Sequence, residues 1–130
     1  MGTTLGATLL PDPEPRAIRM PVISVDDHLI EPPDLFEDRL PAGLAAGAPR
    51  VVEQDDGTQS WVFEGRHYPN VGLNAVVGRP KAEWSMEPAR FDEMRPGCFD
   101  IEARIQDMDR AGIWASLCFP CSFRLDATSL

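Results

Sequence analysis

The chain has 130 residues, of which 43% are hydrophobic and 25% charged, and its formal net charge at pH 7 is -9. This length and composition are typical of one globular domain with a core of its own. The negative charge disfavours binding to nucleic acid or to an anionic membrane surface, because the electrostatic interaction would be repulsive over most of the protein.

Residues 1–20 combine small residues and threonines with the run P-D-P-E-P, a composition that buries little surface and disfavours a helix. We therefore expect a flexible N-terminal arm. No apolar stretch approaches the ~20 residues that cross a bilayer, and Pro11 interrupts Leu9 and Leu10 before they form the apolar region of a secretory signal. The sequence thus predicts no membrane association and a cytoplasmic location.

Residues 22–33, V-I-S-V-D-D-H-L-I-E-P-P, indicate a strand that prolines bring to an end. Val22, Ile23 and Val25 form a short β-branched run, which is typical of a strand that is covered on both faces in a parallel sheet. The remainder of the chain is organised around this strand.

Three titratable side chains follow at the end of the strand. Because side chains alternate across a strand, Asp26 and His28 should point to one side and Asp27 to the other. D-x-H then offers a carboxylate and an imidazole to one metal ion. The alternative is a polar strand terminus, in which Asp27 caps a turn and His28 is partly buried and hydrogen-bonded.

The next segment predicts a short helical turn over residues 33–40 and a β-hairpin or small meander over residues 50–69. Asp56-Gly57 and Gly65 are turn signals. Trp61 and Phe63 share one face of the predicted hairpin, where packing into the core is the favoured role. His67 has no partner at ligand spacing, and we expect it to be structural or exposed. Residues 71–99 predict a long irregular connection.

The clearest helix spans residues 101–111. Asp100 is a suitable N-cap and Gly112 a suitable C-terminal stop. Its apolar stripe, which we expect to pack on the strands, consists of Ile101, Ile105, Met108 and Ala111. Residues 113–119, I-W-A-S-L-C-F, then predict a second strand that Pro120 ends.

Strand, long excursion, helix and strand make a βαβ unit, whose two strands are parallel neighbours. The connection after the first strand is enlarged by an insertion over about residues 35–99, which contains the hairpin. In such folds ligands bind at the carboxyl ends of the strands, and Asp26 and His28 occupy that end of the first strand. The sequence therefore predicts an α/β fold with a functional site at this position.

Three blocks of the chain, residues 22–35, 61–80 and 95–120, together resemble the amino-terminal part of the amidohydrolase-related (amidohydrolase 2) family. This group of metal-dependent TIM-barrel enzymes includes the aminocarboxymuconate semialdehyde decarboxylase-like enzymes. The resemblance covers about residues 21–120. It implies that this part of the chain is the N-terminal βαβ portion of a TIM (β/α)8 barrel.

The resemblance also implies a first-strand metal motif, which falls here on Asp26 and His28, with Glu31 as a further candidate ligand. Members of the family take additional ligands from later strands. A divalent ion such as zinc or manganese activates water or polarises a substrate carboxylate. The expected reaction is hydrolysis or decarboxylation of a small-molecule carboxylate or amide.

The chain departs from the family in length, since a complete barrel needs roughly 250 residues. Residues 121–130 do not resemble a second barrel helix, so we expect a divergent or truncated tail. A truncated protein of this kind should be inactive alone, with weak or absent metal binding. Its open sheet edges should favour self-association.

Two other functions remain open. One is a noncatalytic oligomerisation or docking module built on the hairpin insertion. The other is a thiol redox protein that uses Cys118 and Cys121, a C-x-x-C pair at a strand end. Cys98, next to Gly97, is expected to be an ordinary buried thiol.

Overall fold

The computed structural model describes residues 8–14, 17–84 and 88–121. Within these residues, two sheets and two α-helices form an α/β arrangement, in which three short 3-10 turns interrupt the long connection before the second helix. The predicted tail, beyond residue 121, lies outside the described residues. In chain order the elements are β1 (Val22–Leu29), α1 (Ala42–Ala45), β2 (Arg50–Glu53), β3 (Gln59–Phe63), β4 (Arg66–Tyr68), α2 (Ile101–Ala111) and β5 (Ile113–Pro120).

The first sheet consists of β1 and β5, which pair in parallel. Val22 lies opposite Ile113 at one end and His28 opposite Phe119 at the other. Between Ser24 and Asp27 the pairing register shifts, as in a β-bulge. The predicted parallel pair is present, and α2 connects to β5 through a single residue.

Helix α2 has the predicted bounds because both of its ends carry local signals. The Asp100 side chain accepts a hydrogen bond of 2.7 Å from the backbone N–H of Ala103. At the other end Gly112 adopts a left-handed conformation with φ 72°, which glycine favours because it has no Cβ. Asp100 and Gly112 are each adjacent to the helix end that they determine.

The prediction that Ile101 and Ile105 face the strands is wrong. These side chains are 56% and 46% exposed, and no residue of α2 is fully buried. The helix instead turns Ala103, Arg104 and Asp107 inward, and the last two form ion pairs there. Of the predicted stripe, Met108 is half-buried alongside these residues, whereas Ile101, Ile105 and Ala111 are exposed.

The prediction of a strand covered on both faces is also wrong. Val22, Ile23 and Val25 are 45%, 65% and 68% exposed, and in β5 Trp114 is 79% exposed. Helix α2 covers the face on which Asp27 and Ser116 contact Arg104. In the part of the chain that the structure describes, neither the opposite face of this sheet nor its outer edges have a cover.

The second sheet is an antiparallel meander in the order β2-β3-β4. Its first turn is held by the Asp56 carboxylate, which accepts hydrogen bonds from the N–H and hydroxyl of Thr58 at 3.0 and 2.7 Å. Its second turn places Glu64 and Gly65 at φ 50° and 75°, the left-handed geometry of a tight hairpin turn. The structure thus contains the predicted meander over residues 50–69.

The core lies against this meander and not against the first sheet. Trp61 is 1% exposed and packs edge-on against Phe36, with ring centroids 6.1 Å apart. The buried apolar cluster combines the residue after β1 with residues of β3 and of the long connection, and it contains Ile30, Trp61, Val71, Phe91, Met94 and Cys98. Aromatic packing was the predicted role for Trp61, and the structure confirms it.

Polar contacts anchor the irregular connection between the meander and α2. The buried Arg79 donates from Nε and Nη2 to the carbonyl of Glu93 at 2.9 and 2.6 Å. The backbone N–H of Gln59 donates to the carbonyl of Ala89, which joins this connection to β3. The helical turn predicted over residues 33–40 corresponds to turns over residues 33–39, in which the N–H groups of Leu35 and Glu37 donate to the carbonyls of Pro32 and Asp34, and α1 begins after Pro41.

Part of the N-terminal arm contacts this connection. The N–H of Leu10 donates to the carbonyl of Gly78 at 2.7 Å. The Asp12 carboxylate lies 2.7 Å from Arg95 and 3.2 Å from Arg110. Across the described ranges, no helix is long and apolar enough to pass through a membrane.

Candidate functional site

Asp26 and His28 lie on the same side of β1 near its carboxyl end. His28 Nε2 is 3.8 Å from Asp26 Oδ1, and the two side chains are 59% and 85% exposed. A carboxylate oxygen and an imidazole nitrogen are therefore available together at one surface, as the alternation of side chains predicts.

The neighbouring strand contributes an aromatic wall to this surface. Phe119 pairs with His28 in the parallel register, and the centroids of their rings are 6.0 Å apart at an interplanar angle of 43°. The carboxyl ends of β1 and β5 therefore meet at the candidate site, which is the location at which α/β folds bind ligands.

Asp27 points to the opposite side and is held there by three groups. Its Oδ2 accepts hydrogen bonds from Arg104 Nη2 and from the Ser116 hydroxyl, and its Oδ1 accepts one of 3.0 Å from the backbone N–H of His28. The hydrogen bond from Arg104 is the main reason that the pKa of Asp27 is below its ordinary value, and Ser116 and the His28 N–H lower it further. Asp27 is therefore a charged anchor and does not extend the exposed pair.

Glu31, the third candidate ligand, is buried beyond the end of β1. Burial raises the pKa of the Cys121 thiol, and the nearby Glu31 carboxylate raises it further. Within residues 8–14, 17–84 and 88–121, no three His, Cys, Asp or Glu side chains form a group that could hold a metal ion. The structure thus brings Asp26 and His28 together, and Glu31 does not join them.

The three cysteines are free thiols. Cys118 lies in β5 with its Sγ 3.3 Å from the Ser116 hydroxyl, and Cys121 follows the strand directly. Three residues of extended chain span about 10 Å, whereas the Cα atoms of a disulfide are at most ~7 Å apart. A disulfide between Cys118 and Cys121 would therefore require the end of the strand to bend. Burial raises the pKa of the Cys98 thiol, as expected for a packed cysteine.

His67 belongs to the other sheet. Its Nδ1 is 3.4 Å from the Ser60 hydroxyl, which also accepts a hydrogen bond of 2.9 Å from Gln54 Nε2. The ring is exposed on β4, in agreement with the structural or exposed role expected from the sequence.

The sequence did not point to Arg104 or Ser116, although both donate hydrogen bonds to Asp27 on the face of the sheet opposite Asp26 and His28. The available signal was Asp27 itself, because a carboxylate on the helix side of a strand needs a partner on the covering helix or the next strand. Arg104 was the basic residue of α2 nearest to the middle of the helix.

No protein-family model matches the chain, and no curated protein sequence matches it. Among solved structures, the chain is similar to an amidohydrolase from Mycobacterium avium subsp. paratuberculosis K-10, with 22% sequence identity and a TM-score of 0.49. The alignment covers 81% of this chain and 31% of that protein, so the chain spans about a third of its length. A similarity of this degree carries no information on activity or ligand.

Proposed function

We propose that residues 21–120 are the amino-terminal part of a metal-dependent amidohydrolase-like enzyme, in which Asp26 and His28 are two ligands of a divalent ion. The observation that carries the proposal is the pairing of these two side chains, 3.8 Å apart, at the carboxyl end of a strand in a parallel sheet. The three sequence blocks that resemble this family, residues 22–35, 61–80 and 95–120, support the same assignment.

The donor set suits zinc or manganese. Both ions bind carboxylate oxygen, and zinc binds imidazole nitrogen readily. Donor atoms around one tetrahedral zinc ion are roughly 3.4 Å apart, close to the 3.8 Å between His28 Nε2 and Asp26 Oδ1. Because both side chains are exposed, a small rotation of either one closes the difference.

The bound ion would activate water or polarise the carboxylate of a small-molecule carboxylate or amide substrate. Asp26 and His28 would hold it, and Phe119 would shield one side of the imidazole from water. Within the described residues no three side chains form a metal-binding group, so we expect a third ligand and the catalytic acid or base to come from later strands of the complete enzyme. These 130 residues alone should therefore bind the ion weakly and show no turnover.

Paramagnetic broadening by Mn²⁺ in ¹H–¹⁵N NMR spectra tests the proposal, since it detects weak binding and locates it. Substoichiometric Mn²⁺ should broaden the amide signals of residues 26–29 and of Phe119 before those of the meander. Asp26→Asn combined with His28→Gln should abolish this local broadening.

The matched control is His67→Gln, which removes the other histidine of the chain. It should leave the broadening around residue 28 unchanged. Broadening that is uniform over the acidic surface, or that survives the double substitution, would show that the pair is not a metal site.

A noncatalytic association module is the second candidate function. The sequence placed this module on the hairpin insertion, but the exposed apolar side chains that favour association, such as Val25 and Trp114, lie on the first sheet. Metal dependence separates the two candidates, because association through these side chains does not require Asp26 or His28.

We also propose a cytoplasmic location, in which the free Cys98, Cys118 and Cys121 would stay reduced.

A further inference from the structure

We infer that Asp27 and Arg104 are positioning residues, which orient the end of β1 so that Asp26 and His28 present their side chains together. This inference rests on the proposed function, because it assumes that Asp26 and His28 bind a metal ion. The contacts of Asp27 show how the positioning would work. A change at the Asp27–Arg104 ion pair should therefore alter the geometry at His28 without removing a ligand.

Asp27 links three parts of the molecule. Arg104 belongs to α2, Ser116 to β5, and the third donor is the backbone N–H of His28. The last contact acts on the main chain of the candidate ligand itself. The Asp27 carboxylate thus connects α2 directly to the backbone of His28.

The local pairing of β1 makes such an anchor necessary. The register with β5 shifts between Ser24 and Asp27, so Val25 and Asp26 have no paired residue on β5 that would hold this part of the backbone. The exposed Asp26 and His28 are not fixed by packing against the core. Asp27, with a side chain only 20% exposed, is the group at the bulge that has fixed partners.

Arg104, the partner of Asp27 on α2, is largely buried around this contact. The Arg104 side chain is 19% exposed, and its Nε has no hydrogen-bond partner within the described residues. Its Nη2 contact with Asp27 therefore satisfies a charge that is mostly removed from water. Loss of Asp27 would leave this guanidinium free to move, together with the end of β1.

The chain offers a closely matched control in a second ion pair on the same helix. Arg95 donates to Asp107 from Nε and Nη2 at 2.7 and 2.6 Å, and the two side chains are 19% and 25% exposed. This pair joins α2 to the long connection and contacts neither Asp26 nor His28. Breaking it should also lower stability, although Arg95 keeps its ion pair with Asp12, and should leave the candidate site in place.

The first measurement needs no metal. In the unmodified chain, nuclear Overhauser effects should connect the rings of His28 and Phe119, whose centroids are 6.0 Å apart. Asp27→Ala should weaken or abolish them, whereas Asp107→Ala should keep them. Unchanged contacts in a folded Asp27→Ala variant would overturn the inference.

The second measurement is Mn²⁺ affinity from the same NMR titrations. Asp27→Ala should weaken binding about 10- to 100-fold, the usual effect of removing a group that orients a metal ligand, and Asp107→Ala should change it less than about threefold. If the unmodified chain shows no local Mn²⁺ binding, the proposed function fails, and the ring contacts alone then decide the positioning role.

Near-ultraviolet circular dichroism monitors folding of each variant. If Asp27→Ala does not fold, Asp27→Asn decides the question, because it preserves the size of the side chain and removes its charge. A loss of affinity of at least threefold or weakened ring contacts in Asp27→Asn would support the inference. Affinity and contacts equal to those of the unmodified chain would overturn it.

Discussion

The two sheets of this chain differ in what covers them. The meander of β2, β3 and β4 packs on a closed cluster, and its Trp61 is 1% exposed, whereas the parallel pair β1 and β5 carries Trp114 at 79% exposure. The candidate site belongs to the open sheet, and the residues of the buried core other than Ile30 belong to the insertion. Stability and proposed chemistry therefore reside in different parts of the molecule.

The two tryptophans provide the largest test of this contrast. Trp61→Ala should reduce the free energy of unfolding by about 3 to 5 kcal/mol, because it empties a fully packed position. Trp114→Ala should change it by less than about 0.5 kcal/mol, as is usual for an exposed residue. Urea unfolding followed by circular dichroism measures both. Equal losses would show that the parallel pair is as well packed as the meander.

Self-association is the next effect to measure. The open face and edges of β1 and β5 should bring copies of this chain together at micromolar concentrations. Val25→Lys should shift the population towards monomer, because a charge on an open strand opposes strand pairing. Light scattering with size-exclusion chromatography reports the mass.

The control for this experiment is Val77→Lys, a similarly exposed apolar position in the long connection. It should leave the association unchanged. An unmodified chain that remains a monodisperse monomer over the whole concentration range would contradict the prediction.

The ion pair between Arg95 and Asp107, which joins the long connection to α2, should have a smaller and pH-dependent effect on the free energy of unfolding. Hydrogen bonding from Arg95 lowers the pKa of Asp107 below its ordinary value of 3.8. A lowered pKa in the folded state means that the stabilisation is complete above the pKa of the unfolded chain and is lost as the pH falls through the folded value. Asp107→Asn should therefore cost about 1 to 2 kcal/mol at pH 7, and the difference should vanish at low pH.

Urea unfolding of both proteins between pH 2 and pH 7 measures this dependence. Asp92→Asn is the control, because Asp92 also pairs with an arginine but is 52% exposed, and it should cost less than about 0.5 kcal/mol. A difference for Asp107→Asn that stays constant down to pH 2 would rule out the carboxylate as its cause.

The smallest effect is expected at Ile105. This side chain is 46% exposed, so Ile105→Ala loses little burial, and alanine's higher helix propensity offsets part of that loss. The free energy of unfolding should fall by about 1 kcal/mol or less. A loss of 2 kcal/mol or more in the same urea assay would place Ile105 in a packed interface and restore the predicted helix orientation.

The elements that were predicted correctly depend on neighbouring residues. Asp100 and Gly112 set the ends of α2 within one helical turn, and Asp56 and Gly65 set the turns of the meander. The relative placement of Asp26 and His28 follows from alternation over two residues.

The features that were predicted wrongly depend on distant residues. Exposure of Val25 reflects which elements cover the sheet, and a β-branched run has the same sequence whether covered or open. The rotation of α2 depends on the contact of Arg104 with Asp27, 77 positions away in the chain. Hydrophobic periodicity favoured Ile105 for the inner face, but the ion pairs of Arg104 and Asp107 determine the orientation.

The parallel register also determines the order in which the chain can assemble during synthesis. Val22 pairs with Ile113, 91 positions later, whereas Arg50 pairs with Val62 only 12 positions later. At about 5 to 20 residues per second, β1 leaves the ribosome several seconds before β5 exists, while the meander closes almost as soon as it emerges. During that interval β1 lacks its partner strand, so the parallel pair can form only after the meander has closed.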